Sequence, residues 1–269
     1  MKKLLNKAFL LSSSLFLMTN ISNAESVVQE SSNVSTVKKE TSTQKRLSFK
    51  AIGVKIENIK DNKTTINLGN LIVGQSGVVV HIYNNDKRLI VANAEVIESN
   101  SNTSTVLFTK FDDLKQDAIP TSNRSVETND ILVLNYLYTS SLLITPTQET
   151  FQIVRSNFKY NNFLHSDVFA AKLKVDNQPY PKKEEIQKFA IEQNLGTIFF
   201  VVNQHVYVVD TKTFKVLTTY KLDYKNENLQ VPFYTRVEDI KSSPLTFNLF
   251  SNDKNLSYEE YYKNILGFK

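Results

Sequence analysis

Apolar positions along this chain change their spacing several times, and each change marks an expected boundary. Ala8 to Met18 is an apolar run of eleven residues preceded by Lys2, Lys3 and Lys7 and followed by the small residues Ser22 and Ala24. A spanning helix needs about 20 apolar residues, so this run reads as a removable secretory signal over residues 1–24 and not as a membrane anchor. Residues 25–46 then lack any aromatic side chain and are dominated by Ser, Thr, Gln, Glu and Lys. Such a composition buries too little apolar surface to offset the entropy of ordering, which predicts a disordered tether.

From Phe49 the pattern alternates with period two. Phe49 to Ile59 and Lys63 to Leu68, separated by Asp61-Asn62, predict a hairpin. Runs over Gly77 to Tyr83, Leu89 to Glu98, Thr103 to Phe111 and Ile131 to Tyr136 predict further strands. Asn84-Asn85-Asp86 and Asn100-Ser101-Asn102 supply turns between them. Several short strands joined by such turns predict a closed or nearly closed antiparallel barrel.

The period changes again at Leu143. Thr145 as cap, Pro146 in the first turn and Gln148 as box partner predict a helix carrying Phe151, Val154 and Phe158 on one face. Ser166 is expected to cap a second helix through Leu173. Pro181 is expected to open a third, with Ile186, Phe189 and Ala190 inward and Glu184 paired to Lys188. Thr197 to Val202, His205 to Asp210 and Phe214 to Tyr220 predict three hairpin-connected strands, and Tyr258 to Leu266 a terminal helix. The fold class expected is therefore α+β. A small antiparallel β-barrel-like domain (47–142) would precede an α+β domain (143–241) and a C-terminal tail with a short helix (242–269).

Charge and composition narrow the function. The whole chain carries +5, but without Lys2, Lys3 and Lys7 the 32 basic residues fall to 29 against 27 acidic ones, a net of +2. So small a charge gives no field-driven case for nucleic acid or an anionic membrane. The absence of Cys removes thiolate nucleophiles, zinc ribbons and iron-sulfur clusters, and no Cys follows the apolar run to take a lipid. His81, His165 and His205 are scattered without metal-ligand spacing, so no metal or cofactor is expected. His165-Ser166-Asp167 has the residue types of a triad, but adjacent side chains point different ways, and helix capping explains them better. Asp112-Asp113 reads as an acidic turn and Gly69, Gly74 and Gly77 as strand turns, since no phosphate-loop Lys-Ser/Thr follows them. Phe49, Phe108 and Phe111 read as core. Asp253 to Ser257 matches an acidic bacterial glycosylation sequon centred on Asn255.

Six strings in order carry a family likeness: 73–81 (VGQSGVVVH), 90–96 (IVANAEV), 113–120 (DLKQDAIP), 144–151 (ITPTQETF), 165–171 (HSDVFAA) and 231–237 (VPFYTRV). Together they resemble the N-terminal domain of the bacterial plasminogen-binding surface protein family PgbA, over about Phe49 to Ile240. The resemblance implies an exported, non-enzymatic protein of the periplasm or cell surface that takes host plasminogen, whose kringle domains recognise lysine. Such a site wants an ammonium, a methylene stem and a carboxylate, which a terminal lysine offers together, and the chain as given ends on Gly267-Phe268-Lys269. Lys269 is accordingly the expected binding residue. Internal lysines such as Lys38, Lys39, Lys182 and Lys183 are weaker mimics. The rival expectation is a periplasmic structural or assembly factor whose partners are other envelope proteins.

Overall fold

The computed structural model describes residues 49–84, 87–113, 124–225, 227–238 and 256–268. The expected signal (1–24) and tether (25–46) lie outside them. The described chain is mixed α+β, mostly sheet, with four helices.

The first sheet has six antiparallel strands: β1 (Ile52–Lys55), β2 (Lys63–Ile66), β3 (Ser76–Tyr83), β4 (Lys87–Ser99), β5 (Ser104–Lys110) and β6 (Ile131–Leu134). They run in the order β1-β6-β3-β4-β5-β2. Alternate residues of β4 and β5, such as Ala94, Val96, Val106 and Phe108, bury against Val79, Leu132 and Leu134. Register shifts at Val79/Val80 and Val96/Glu98 are bulges of the kind that bend strands, and the sheet curls into a half-barrel. It is not closed, because β1 and β2 form its two edges. The expected hairpin is also corrected. Asp61 and Asn62 do make a left-handed turn, and Lys60 and Lys63 exchange two backbone bonds of 2.9 Å. Beyond that bridge the arms part, since Ile56 bonds instead to Asn129 and Asp130, drawing β1 to β6 while β2 goes to β5.

The second sheet contains β7 (Ser140–Ile144), β8 (Asn162–Leu164), β9 (Thr197–Val202), β10 (His205–Asp210) and β11 (Val216–Lys221), in the order β11-β10-β9-β7-β8. The β9-β10-β11 meander matches the expected hairpin connections. β7 and β8 were not expected as strands, and β7 pairs parallel to both β8 and β9. The signal was the unbroken run Leu142-Leu143-Ile144, which marks a strand covered on both faces. β7 crosses residues 142 and 143, where a domain boundary was expected.

Both faces of this sheet are covered. Leu142, Ile144, Ile198 and Phe200 face α2 (Ser166–Val175), α3 (Lys183–Glu192) and α4 (Tyr258–Leu266), while Leu143, Phe199 and Val201 face α1 (Gln148–Asn157). Phe199 alone meets the rings of Phe49, Phe158 and Phe163 at 5.0 to 6.0 Å. Such pairs add about 0.5–1.5 kcal/mol each beyond burial.

The helix starts shift from expectation. Thr147, not Thr145, caps α1, because its side chain and that of Thr150 satisfy each other's backbone N–H. His165, not Ser166, caps α2. Lys188 sits 3.9 Å from Glu192 on α3, in place of the expected Glu184 pairing. Gly77 is no turn but the second residue of β3, where a Cβ would lie 2.9 Å from Leu134 Cα and closer still to the Val133 carbonyl.

Candidate functional site

The most concentrated buried chemistry joins the two sheets. Asp210 ends β10 with no exposure and accepts from five donors. Tyr138 Oη lies 2.5 Å away, Ser76 Oγ 2.6 Å, and the Ser76, Lys212 and Thr213 amides 3.1, 2.8 and 2.9 Å. Burial lifts the Asp210 carboxyl above its ordinary value against the pull of those donors, and lifts Glu95 with help from the Asp210 charge. Around this point Thr213 Oγ1 donates to the Gly74 carbonyl at 2.7 Å, and Lys212 reaches both Asn93 and Asp113. The polar arms of Asp210, Ser76, Tyr138 and Lys212 are committed to one another or to neighbouring groups, so the cluster acts as a clasp between the sheets. An adjacent void of about 40 Å³ faces Thr211, whose hydroxyl has no protein partner, and is large enough for a water.

A second constellation forms where α1, α2 and the segment 230–237 meet. Three of the six strings, those at 144–151, 165–171 and 231–237, converge here. Tyr234 N bonds Thr145 O at 2.7 Å, and Ser166 Oγ donates to Tyr234 O at 2.6 Å. Asp167 accepts from Thr235 Oγ1, the Arg236 amide and the Arg236 guanidinium at 2.6 to 2.9 Å. Burial pushes the Asp167 carboxyl up, but these donors outweigh it and hold it below 3.8. His165 packs against Phe151 with the rings tilted at 47° and 4.5 Å apart, and uses Nδ1 to accept the Asp167 amide at 3.2 Å. Its imidazole is pushed below 6.5, chiefly by burial, with Arg236 and Arg155 adding to the effect. With Ser166 turned into the protein, the triad-like string is spent on capping and on fastening the 230–237 segment. Beside it opens a polar cleft of about 590 Å³ lined by Gln148, Glu149, Gln152, Lys225 and Asn228 among others.

The remaining candidates are dispersed. His81 bonds Asp130 at 2.6 Å and His205 bonds the Asn203 carbonyl at 2.7 Å. Asp113 pairs with Lys212 at 2.7 Å, Phe108 is core, and Phe111 lies under the Lys212 ammonium. Lys183 sits 4.9 Å from the Phe214 ring centre. Among the described residues no group of His, Asp and Glu is arranged to hold a metal ion. Lys269, Asn255, Lys38 and Lys39 lie outside the described residues, as do 114–120 of the third string. Phe268, which precedes Lys269, packs on Tyr207 at 4.9 Å and donates its amide to the Lys263 carbonyl at 2.9 Å. Asp210, Arg236 and the exposed Tyr160 escaped sequence reasoning. Only the Asp-Thr at a strand end hinted at the first.

The model of the family described as plasminogen-binding protein PgbA, N-terminal, matches residues 51–266. The chain belongs to this family. The match takes in both sheets and α4, further than the Phe49 to Ile240 span of the string likeness. Two Helicobacter pylori proteins named plasminogen-binding protein PgbA, from strains J99 and 26695, are each 26% identical over 193 residues. The alignment covers 71% of this chain and 42% of each relative. No solved structure matches the chain. No helix of the described PgbA-type domain is long and apolar enough to cross a membrane.

Proposed function

We propose that this chain is an exported, non-enzymatic binding protein that takes host plasminogen through lysine recognition. The observation that carries the reading is the family match across 51–266, which includes every described strand and helix. Two further features support it. The constellations with catalytic residue types, around Asp210 and around His165 and Asp167, are committed to holding the fold. Phe268, the last described residue, packs on Tyr207 of the second sheet, and we propose Lys269, outside the described residues, as the residue that leads the kringle contact.

The test has two parts. Protease added to intact cells should remove the protein if it is displayed at the surface. The chain from Glu25, immobilised, should capture plasminogen and release it to a lysine analogue. The second reading, an envelope assembly factor, draws on the alignment covering only 42% of each relative, which leaves room for the named activity to sit in the remainder. Retention of envelope proteins but not plasminogen on the same support would favour it.

A further inference from the structure

The half-barrel leaves a seam between its two edge strands. β1 and β2 are tied at one end, where Lys60 and Lys63 exchange backbone bonds, and diverge from there. The arms enclose a groove of about 330 Å³, lined by Ile52, Val54 and Lys55 on one side and by Thr65, Ile66 and Leu68 on the other. The phase of each ladder fixes which backbone groups face it. The Ile56 amide donates to the Asp130 carbonyl at 2.9 Å, and bonded pairs alternate along an antiparallel ladder, so Ile52 and Val54 bond towards β6. The N–H and C=O of Gly53 and Lys55 therefore point into the seam. On the other arm the Asn62 carbonyl accepts from the Phe108 amide at 2.7 Å, which turns Lys63 and Thr65 to the seam. Lys63 spends its groups on Lys60, which leaves Gly53, Lys55 and Thr65 without a backbone partner there among the described residues.

We infer that the seam takes an extended segment of a partner protein, with apolar and acidic residues alternating, as a strand added along β1. The inference does not depend on plasminogen binding. Backbone bonds to Gly53 and Lys55 would supply the attachment, as in other cases of strand addition to a free sheet edge. The side-chain pattern follows from the pleat. Ile52, Val54, Ile66 and Leu68 pack towards the half-barrel core, while Lys55, Lys63 and Thr65 are exposed on the outer face. An incoming strand must match that alternation, apolar inward and polar outward. Charge makes the outward residues acidic. The exposed charges of residues 50–66 are Lys50, Lys55, Lys60 and Lys63 against Glu57 and Asp61, four against two, and neither Lys55 nor Lys63 forms an ion pair with a described residue. A second copy would add its own lysines to this excess. Residues 25–46, which lead towards β1, contain no run in which apolar and acidic residues alternate.

The experiment titrates a labelled, end-capped peptide of about ten residues alternating Val and Glu into the chain from Glu25, with a Val-Lys peptide of equal length as control. The expected result is saturable binding of the Glu peptide, weaker at high salt and at least about tenfold tighter than that of the Lys peptide, with hydrogen exchange slowed at the Gly53 and Lys55 amides. G53P removes a seam-facing N–H and no β1-β6 bond, and a Cβ there meets nothing nearer than Ile131 Cγ2 at 3.7 Å, so it should fold and abolish binding. K55E combined with K63E leaves the backbone alone and should weaken binding roughly three- to tenfold. Melting temperatures control for folding, and if G53P unfolds the charge-reversed variant carries the test. No binding of the Glu peptide, equal affinity for both peptides, or binding that either folded variant leaves unchanged would overturn the inference. So would Gly53 and Lys55 amides already protected without peptide and released by deleting residues 25–46 or by dilution, since the tether or a second copy would then be the occupant.

Discussion

Replacing Asp210 with Ala tests whether the clasp between the sheets is a principal source of stability. The substitution removes the acceptor of five hydrogen bonds. The Lys212 and Thr213 amides are only partly buried and turn to water at small cost, and the Ser76 amide keeps the Tyr138 oxygen at 2.9 Å. The Tyr138 and Ser76 hydroxyls are left as buried donors without partners, at about 1–3 kcal/mol each. Relief from burying a carboxylate offsets part of this, leaving a net cost of about 2–5 kcal/mol for D210A. That is about 4–20 °C in melting temperature for a domain of this size. Y138F deletes one donor and keeps the ring, and should cost about 1–2 kcal/mol. The double variant should cost less than the sum, because it removes the orphaned hydroxyl along with its acceptor. Urea unfolding followed by circular dichroism reads all three, with an unchanged slope showing that stability alone has moved. A D210A variant within about 1 kcal/mol of wild type, or strict additivity with Y138F, would refute the reasoning.

The other expected outcomes are more local. G77A forces a methyl into the β6 backbone opposite β3 and should cost about 1–3 kcal/mol by urea unfolding, whereas G53A, whose nearest neighbour would be 3.7 Å away, should cost less. His165 is held below 6.5 in the folded chain, so the unfolded chain takes the proton first. Its contribution to stability is present above pH 6.5 and is lost as pH falls from there towards its folded value. H165N keeps a capping side chain but cannot titrate, and its stability should be flatter over that window; curves parallel to wild type would contradict this. Deleting Lys269, or adding a residue after it, should weaken plasminogen binding if that lysine leads the contact, and equal affinities would remove it from the account.

What was legible in the sequence followed the range of the interactions. β3, β4, β5 and the meander β9-β10-β11 came through because their alternation and their Asn-rich turns are local signals. α3 came through because Ile186, Phe189 and Ala190 recur at helical spacing and are all buried. The closed or nearly closed barrel that was expected is a half-barrel, since period-two alternation does not say which edges meet. β7 was missed because an unbroken apolar run fits a buried helix start as well as a doubly covered strand. The clasp was hidden for another reason: Ser76 and Tyr138 lie 134 and 72 residues from Asp210, and a buried carboxylate at a strand end reads locally as an ordinary turn residue. Arg236 meets Asp167 across 69 residues, and so was equally invisible. Tyr160 shows the converse, an aromatic that composition assigns to a core and the fold leaves in solvent.

The proposal that this PgbA-type chain binds plasminogen by presenting lysine has one direct test. Titration calorimetry of the chain from Glu25 into plasminogen, repeated with a saturating lysine analogue, tests it most directly. Saturable binding that the analogue abolishes is the expected result. Saturable binding indifferent to the analogue, or no heat of binding in either titration, would contradict it.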